Sequence, residues 1–249
     1  MKKILFAALL AFMAMGAGAQ NIEIDGIYYT LSPDTKTAEV TNHPKKYSGE
    51  VAIPALIEYE RKKYKVTSIA KKAFSANYGI TSVVLPEGLK TIGESAFSYC
   101  RLDSIIIPNS VESIGDFAFA YCTVMSKISI GKGVTEMGNG VFVSCENLLD
   151  LSIPDGVTAL GTGACNKCSR LLSASIGRNV ETLGAQCFAN CTSLKYFYAH
   201  ADRVPTADKT AFEGTKIGKI KLFAPMFSVK FYEKKEPWGY FKSVTSMKE

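Results

Sequence analysis

The sequence has little of what enzymes use for catalysis. Its 249 residues include only two histidines, His43 and His200, and neither lies in a recognisable nucleophile motif. The glycines recur at regular intervals that do not match a phosphate-binding loop, and no pair of carboxylates stands out. Catalytic residues can converge from distant parts of a chain, so an unrecognised hydrolase is the alternative. We predict a non-enzymatic protein without a cofactor.

The chain also lacks an apolar run long enough to cross a membrane. Its longest run, residues 4–15, is shorter than the roughly 20 residues that span a bilayer. That run follows Lys2 and Lys3 and precedes the small residues 17–19, a pattern typical of a secretory signal peptide. We predict cleavage after Ala19 and an exported product, secreted, periplasmic or on the cell surface, without a transmembrane segment. A membrane anchor is the alternative.

The chain also has only a small excess of charge of either sign. Removing Lys2 and Lys3 from the 29 basic residues leaves 27 against 23 acidic ones, and the excess lies beyond residue 202. So small an excess, in an exported protein, does not indicate nucleic-acid binding. We expect a protein or glycan ligand and a monomeric chain.

Most of the sequence is one unit of 22 or 23 residues, repeated. The repeats begin at Val66, Leu89, Val111, Val134, Val157 and Val180. A degenerate seventh copy runs from residue 203 to 225. A fixed period in this range predicts a solenoid, because each coil can bury its apolar residues only against its neighbours.

Four positions of the repeat predict its interior. Positions 4, 18 and 20 are aliphatic, and position 19 between the last two points outward, as in a half-buried strand. Position 9 is phenylalanine in every copy except one, which has Cys165. These rings should stack at the spacing of neighbouring strands, roughly 4.8 Å. We predict an α/β-type repeat solenoid with one parallel β-sheet, mostly strand and turn, with a compact turn or short helical segment around each Ala-Phe pair.

The full pattern is V-x-x-I-G-x-x-A-F-x-x-C-x-x-L-x-x-I-x-I-P, and residues 89–108 show it clearly. It resembles the BspA-like leucine-rich repeats of bacterial surface proteins. The resemblance covers residues 66–225, and the flanks, including Asp25-Gly-Ile-Tyr-Tyr, are also similar. It implies a right-handed leucine-rich-repeat solenoid and an exported or cell-surface interaction module. Some members of that family bind host matrix proteins or other cells.

Both ends of such a stack need a cover. We assign residues 20–65 to a β-rich N-terminal cap, residues 66–225 to the repeats and residues 226–249 to a C-terminal cap. Phe227 and Phe231 lie four apart, as on one side of a short helix. We expect the final stretch, residues 225–249, to cover the last coil with these two rings and with Tyr232, Trp238, Phe241 and Val244. Membrane binding is the alternative.

The cysteines follow the repeat. Five of the seven occupy position 12, where a small, weakly hydrogen-bonding side chain suits the inside of a coil. They are Cys100, Cys122, Cys145, Cys168 and Cys191. Cys165 and Cys187 fall outside this column. Three interpretations stay open: a structural column only, a Cys165–Cys187 disulfide between adjacent coils, or a zinc site that adds Cys168 and Cys191.

A ligand should bind the outward face of the strands, at positions 17 and 19. These positions are small and polar in the middle repeats, and aromatic and basic at the C-terminal end. Our candidate patch is Lys195, Tyr196, Tyr198, Lys219 and Lys221. In the alternative, both tyrosines pack under the C-terminal tail. The competing function is a structural spacer or envelope assembly component without a dedicated ligand.

Overall fold

The computed structural model describes residues 20–247, which wind into a parallel β-solenoid of about eight coils with little helix. Each coil contributes one strand to a main sheet, a two-residue strand to a second sheet, and a turn segment that joins them. The predicted repeat solenoid is therefore confirmed. The predicted signal peptide, residues 1–19, lies outside the described residues.

The N-terminal part begins as an antiparallel meander. Strands β1 (Gln20–Ile24), β2 (Ile27–Ser32) and β3 (Thr37–Val40) pair in order. Strand β3 then runs parallel to β6 (Lys62–Ile69), and β5 (Leu56–Tyr59) pairs with β6 as a hairpin. The edge of the second sheet is thus extended by antiparallel strands, which cover the first coil.

The main sheet is built from the segments at positions 17–19. Its strands are β4 (Ser48–Ala52), β7 (Gly79–Val84), β9 (Ser104–Ile106), β11 (Lys127–Ser129), β13 (Asp150–Ser152), β15 (Ser173–Ile176), β17 (Tyr196–Ala199), β19 (Lys221–Ala224) and β20 (Ser243–Ser246). Pairing is parallel, in three blocks: β4 with β7, β9 with β11, and β13 through β20. Central residues such as Ile105 and Leu151 are buried, while their neighbours face outward.

The second sheet was not predicted. It consists of β8 (Thr91–Ile92), β10 (Ser113–Ile114), β12 (Glu136–Met137), β14 (Ala159–Leu160), β16 (Thr182–Leu183) and β18 (Thr206–Ala207). The buried second residue of most of these strands is the position-4 column. The glycine that follows permits close approach of the coils: a Cβ on Gly115 would lie 2.7 Å from the backbone nitrogen of Glu94.

The segment around each Ala-Phe pair is a pair of turns, so of the two forms expected there, a compact turn or a short helical segment, the structure has the turn. Ser95 and Tyr99 have positive φ values of 54° and 59°, which interrupt a right-handed helix. The N–H groups of Ser95, Phe97 and Tyr99 instead donate to carbonyls of the next coil, over 2.8, 2.7 and 2.8 Å. Inter-coil hydrogen bonds here replace the i to i+4 bonds that a helix would need.

The predicted stacking of the position-9 rings is confirmed. Phe74 and Phe97 lie 4.9 Å apart between ring centroids, Phe97 and Phe119 lie 5.3 Å apart, and Phe119 and Phe142 lie 5.9 Å apart. We call these four rings the phenylalanine stack. Tyr47, which the sequence placed in the cap, extends it at 4.7 Å from Phe74. The coil of Cys165 supplies no ring and so ends the stack.

All the helices found in residues 20–247 lie in the last repeat and the C-terminal cap. They are α1 (Val229–Lys234) and three 3₁₀ helices, Ile217–Lys219, Met226–Ser228 and Trp238–Tyr240. None of them is long and apolar enough to span a bilayer. The C-terminal segment closes the core through Trp238, whose ring centroid lies 5.8 Å from Phe197 and whose Nε1–H donates to the Pro205 carbonyl at 2.9 Å.

The C-terminal stretch covers the last coil through Tyr232, Trp238 and Phe241, whereas Phe227 and Phe231 take no part in this packing. Their exposed fractions are 85% and 64%. Tyr232, the next residue on α1, is turned inward instead, and its hydroxyl donates to the Ala201 carbonyl at 2.9 Å. Since successive helical residues point about 100° apart, burying Tyr232 leaves Phe231 outside.

Candidate functional site

The two tyrosines of the candidate patch lie on the outer face of β17. Tyr196 is 40% exposed, Tyr198 is half-buried, and Phe197 between them is fully buried. The pleat of the strand produces this alternation, because successive side chains point to opposite faces of a sheet. The core thus holds Phe197 in place and, with it, the backbone that presents both tyrosines.

The neighbouring strand is displaced by two residues from its expected register. Lys221 pairs with Tyr196, and Phe223 pairs with Tyr198. Lys219 lies at the end of the 3₁₀ helix Ile217–Lys219, so its expected position on the sheet is wrong. The interval from Tyr196 to Lys221 is 25 residues instead of 23, and the helix takes up the difference.

This shift adds a residue that the sequence reasoning missed. The Phe223 ring stacks on Tyr198 with centroids 4.8 Å apart and planes 12° apart. A sign of the correct register is present in the sequence, since both strands have an alanine two residues after their central apolar residue, at Ala199 and Ala224. The outer face here carries Tyr196, Tyr198, Phe223 and Lys221.

The alternative required the C-terminal tail to pack over these tyrosines, and it does not. It adds β20 beside β19, with Ser243 opposite Lys221 and Thr245 opposite Phe223. Its buried rings, Tyr232, Trp238 and Phe241, lie on the inner side, where Trp238 contacts Phe197. Lys195 is exposed beside the patch, and its carbonyl accepts the Lys221 N–H at 2.9 Å.

A polar groove of about 530 Å³ lies next to the patch, at the carboxyl ends of β11, β13 and β15. Its lining includes Ser129, Ser152, Ser175, Lys132, Asp155, Arg178 and His200. Ser175 pairs with Tyr198 in register, so the groove and the patch form one continuous surface. The outward serines at position 19 were the only sequence sign of it.

The position-12 cysteines form a column of hydrogen bonds, which we call the thiol ladder. Each Sγ donates to the carbonyl of the position-9 residue one coil earlier. The pairs are Cys100 to Phe74 at 3.0 Å, Cys122 to Phe97 at 3.1 Å, Cys145 to Phe119 at 3.1 Å, Cys168 to Phe142 at 3.2 Å and Cys191 to Cys165 at 3.3 Å. Thr215 takes this place in the last copy, and its hydroxyl donates to the Phe188 carbonyl at 2.7 Å.

Burial makes these thiols chemically inert. It raises the pKa of Cys100, Cys145 and Cys191 from 9.0 to about 12, and that of Cys122 and Cys168 well above 9.0. The thiolate is the reactive form of cysteine, so the ladder stays unreactive at neutral pH. Its role is to pair buried carbonyls of the turn segments.

Cys165 and Cys187 lie in adjacent coils, and the Cys165 N–H donates to the Cys187 carbonyl at 2.7 Å. Both are fully buried, and all seven cysteines are free thiols in the structure. The disulfide between them stays a prediction. No group of histidine, cysteine or acidic side chains within residues 20–247 is arranged to hold a metal ion.

A second pair of exposed aromatic residues lies on the turn segments. Tyr99 and Tyr121 occupy position 11 of adjacent coils, and their rings stack with centroids 4.5 Å apart. The sequence reasoning did not single them out, because it searched the strands for a binding surface. They resemble the Tyr198–Phe223 pair in geometry but stand on another face of the solenoid.

The repeats decide the family. The model of the BspA type leucine-rich repeat region matches residues 67–195 and 158–233, with six copies. The chain belongs to the BspA-type leucine-rich repeat family. Among curated proteins, none matches the sequence.

The fold is shared with a solved leucine-rich repeat protein from T. pallidum, which is 24% identical, with a TM-score of 0.65 over 88% of this chain and 93% of that chain. Another from Bacteroides ovatus is 19% identical, with a TM-score of 0.48 over 91% of this chain and 76% of that chain. Family and fold are those of a protein-interaction repeat module.

Proposed function

We propose that this BspA-type protein is an exported, non-enzymatic recognition module that binds a protein or glycan through the C-terminal part of its main sheet. The observation that carries the proposal is the outer surface of β17 and β19. There the stacked Tyr198 and Phe223 lie beside Tyr196 and Lys221. Adhesion to matrix proteins, glycans or other cells is the biological role we propose for it.

Several physical properties of this surface suit recognition. Aromatic side chains offer a large contact area with few rotatable bonds, and here paired strands fix their backbone, so little entropy is lost when a partner binds. Lys195 and Lys221 add exposed positive charge that orients an acidic partner. The adjoining groove adds serine hydroxyls, together with Arg178 and Asp155, as hydrogen-bonding groups.

Binding to an array of matrix proteins and glycans tests this proposal. The chain should begin at Gln20, the residue that the predicted cleavage leaves first. Replacing Tyr196 and Tyr198 by alanine should weaken saturable binding at least tenfold. The chain should still fold, with only a small decrease in the thermal unfolding midpoint from the lost Tyr198–Phe223 stacking. Replacing Tyr99 and Tyr121 by alanine is the matched control, since it also removes two outward tyrosines and a stacked aromatic contact, and binding should persist.

Two results would count against the proposal. If the Tyr99 and Tyr121 variant lost binding and the Tyr196 and Tyr198 variant kept it, the site would lie on the turn segments. If the unaltered chain bound nothing on the array but associated with itself, the spacer or assembly role would be favoured.

Export needs its own test. Protease treatment of intact cells should digest a protein that faces outward, and immunoblotting with an antibody against the repeats would detect the loss. Protection until the envelope is broken would place the protein in the periplasm and remove direct adhesion from the proposal.

A further inference from the structure

The C-terminal segment carries a cluster of apolar side chains in contact with water. Met226, Phe227 and Phe231 are all exposed, Phe227 to 85% and Phe231 to 64%. We call these three residues the tail patch. Exposed apolar residues are ordinary when they are single, but a cluster of large ones marks an interaction site.

Hydrogen bonds that attach the segment to the repeats keep the tail patch exposed. Ser228, directly after Phe227, donates its hydroxyl to the Asp202 carbonyl at 2.7 Å. Tyr232, directly after Phe231, donates to the Ala201 carbonyl at 2.9 Å. Since both inward residues are fixed by hydrogen bonds to the repeat, the two phenylalanines are held outward.

Lysines outnumber acidic residues near the tail patch, although the exposed Glu233 lies on the same helix. Lys230 and Lys234 are exposed and follow Phe227 and Phe231 by three residues, the spacing of neighbours on a helix. Residues 225–247 contain four lysines and two glutamates. One of those glutamates, Glu236, accepts a hydrogen bond from the Tyr240 hydroxyl. A surface that combines protruding rings with lysines is complementary to an anionic one.

The composition of the tail patch favours a membrane over a protein as its partner. Met226, Phe227 and Phe231 are all large apolar residues, and each of them is more than half exposed. In protein–protein interfaces, aromatic residues lie in a buried centre that contains few charged residues. Here lysines lie within one helical turn of the Phe227 and Phe231 rings. Apolar side chains bordered by lysines are typical of segments that lie in the headgroup region of a bilayer.

We propose that the tail patch docks reversibly on an anionic lipid bilayer. The two phenylalanine rings and Met226 would enter the headgroup boundary, and Lys230 and Lys234 would contact the lipid phosphates. Three apolar side chains and a few lysines make this a weak association that salt reduces. It is a second surface, separate from the sheet face of the proposed function.

Co-sedimentation with vesicles tests this docking. The chain beginning at Gln20 is required, because the apolar run at residues 4–15 would itself bind lipid. Binding should be stronger to phosphatidylcholine vesicles that contain one third phosphatidylglycerol than to phosphatidylcholine alone. Phe227→Ser with Phe231→Ser should reduce the partition coefficient at least tenfold, while Ile106→Ser, at a residue that is 72% exposed on the main sheet, should not.

Further variants separate this proposal from others. Lys230→Glu with Lys234→Glu should abolish the preference for anionic vesicles, and Tyr196→Ala with Tyr198→Ala should leave vesicle binding unchanged. The phenylalanine and lysine variants should unfold at the temperature of the unaltered chain, because their changed side chains are exposed. Unchanged partitioning of the double phenylalanine variant would overturn the proposal. Failure of the unaltered chain to bind vesicles would also overturn it. So would the finding that the unaltered chain binds no lipid and is a dimer, while the double phenylalanine variant is a monomer.

Discussion

Raising the pH above 9 should destabilise the solenoid through its buried thiols. Burial raises the pKa of Cys145 from 9.0 to about 12, against a smaller opposite effect of a backbone hydrogen bond. In the unfolded chain this thiol ionises near pH 9, whereas in the folded chain it stays protonated. The stability that it contributes is therefore complete below pH 9 and is lost as the pH rises toward 12.

The size of the effect follows from the pKa shift. One pKa unit corresponds to about 1.4 kcal/mol. Because the unfolded Cys145 thiol ionises only above about pH 9, its ionisation should lower the free energy of unfolding by about 1.4 kcal/mol between pH 8 and pH 10. Cys100 and Cys191 have the same raised pKa of about 12, which brings the loss for these three thiols to about 4 kcal/mol. Many domains of this size have only about 5–15 kcal/mol in total.

Urea unfolding at pH 8 and pH 10, in a reducing buffer, measures this loss. Cys145→Ser is the reference, because a serine hydroxyl does not titrate in this range and can still donate to the Phe119 carbonyl. Tyrosines and lysines titrate alike in both proteins, so their effects cancel. The unaltered chain should lose about 1.4 kcal/mol more than the variant. Equal losses would refute the argument that the buried thiol stays protonated.

Three other predictions follow from the packing of the coils. Gly115→Ala should lower the free energy of unfolding, measured in urea, by about 3 kcal/mol or more. In the control Gly218→Ala the nearest atom to the new Cβ is 3.8 Å away, and stability should change by less than about 0.5 kcal/mol. Similar losses in both variants would contradict the close approach at Gly115. Under native conditions N-ethylmaleimide should modify none of the seven buried cysteines, and rapid modification would show that the core opens. After unfolding without reductant, it should modify seven cysteines if all are free, or five if Cys165 and Cys187 are bridged. Hydrogen exchange should be faster in β14, which does not pair with β12 on its N-terminal side, than in β16, which is paired on both sides. Uniform protection of β14 and β16 would exclude a weak junction there.

The interior of the repeat could be predicted because it recurs. Position 9 is phenylalanine in coil after coil, and a ring that recurs every 22 or 23 residues can only stack on its neighbours. The alternation around Ile105 and Leu151 likewise identifies a strand with one buried face. Such periodic signals are strong because one arrangement must suit every copy.

Features that depend on inter-coil hydrogen bonds could not be predicted. The segment around Ala96 and Phe97 has residues compatible with a helix, but its N–H groups bond to the next coil instead. The register of β19 also escaped the sequence, because a 3₁₀ helix ending at Lys219 absorbs two residues. Amphipathic spacing identified Phe227 and Phe231 as one side of a helix without indicating whether that side faces the core.

The repeat chemistry also determines where the solenoid is weakest. In a stack of coils each unit is stabilised only by its neighbours. Within residues 20–247 the main sheet is unpaired between β11 and β13, the second sheet between β12 and β14, and Cys165 ends the phenylalanine stack close by. The turn segments remain bonded across this region, with the Phe142 and Ser144 N–H groups donating to the next coil at 2.8 Å. Local opening should therefore occur here, and both the candidate patch and the tail patch lie on its C-terminal side, where pairing from β13 through β20 is unbroken.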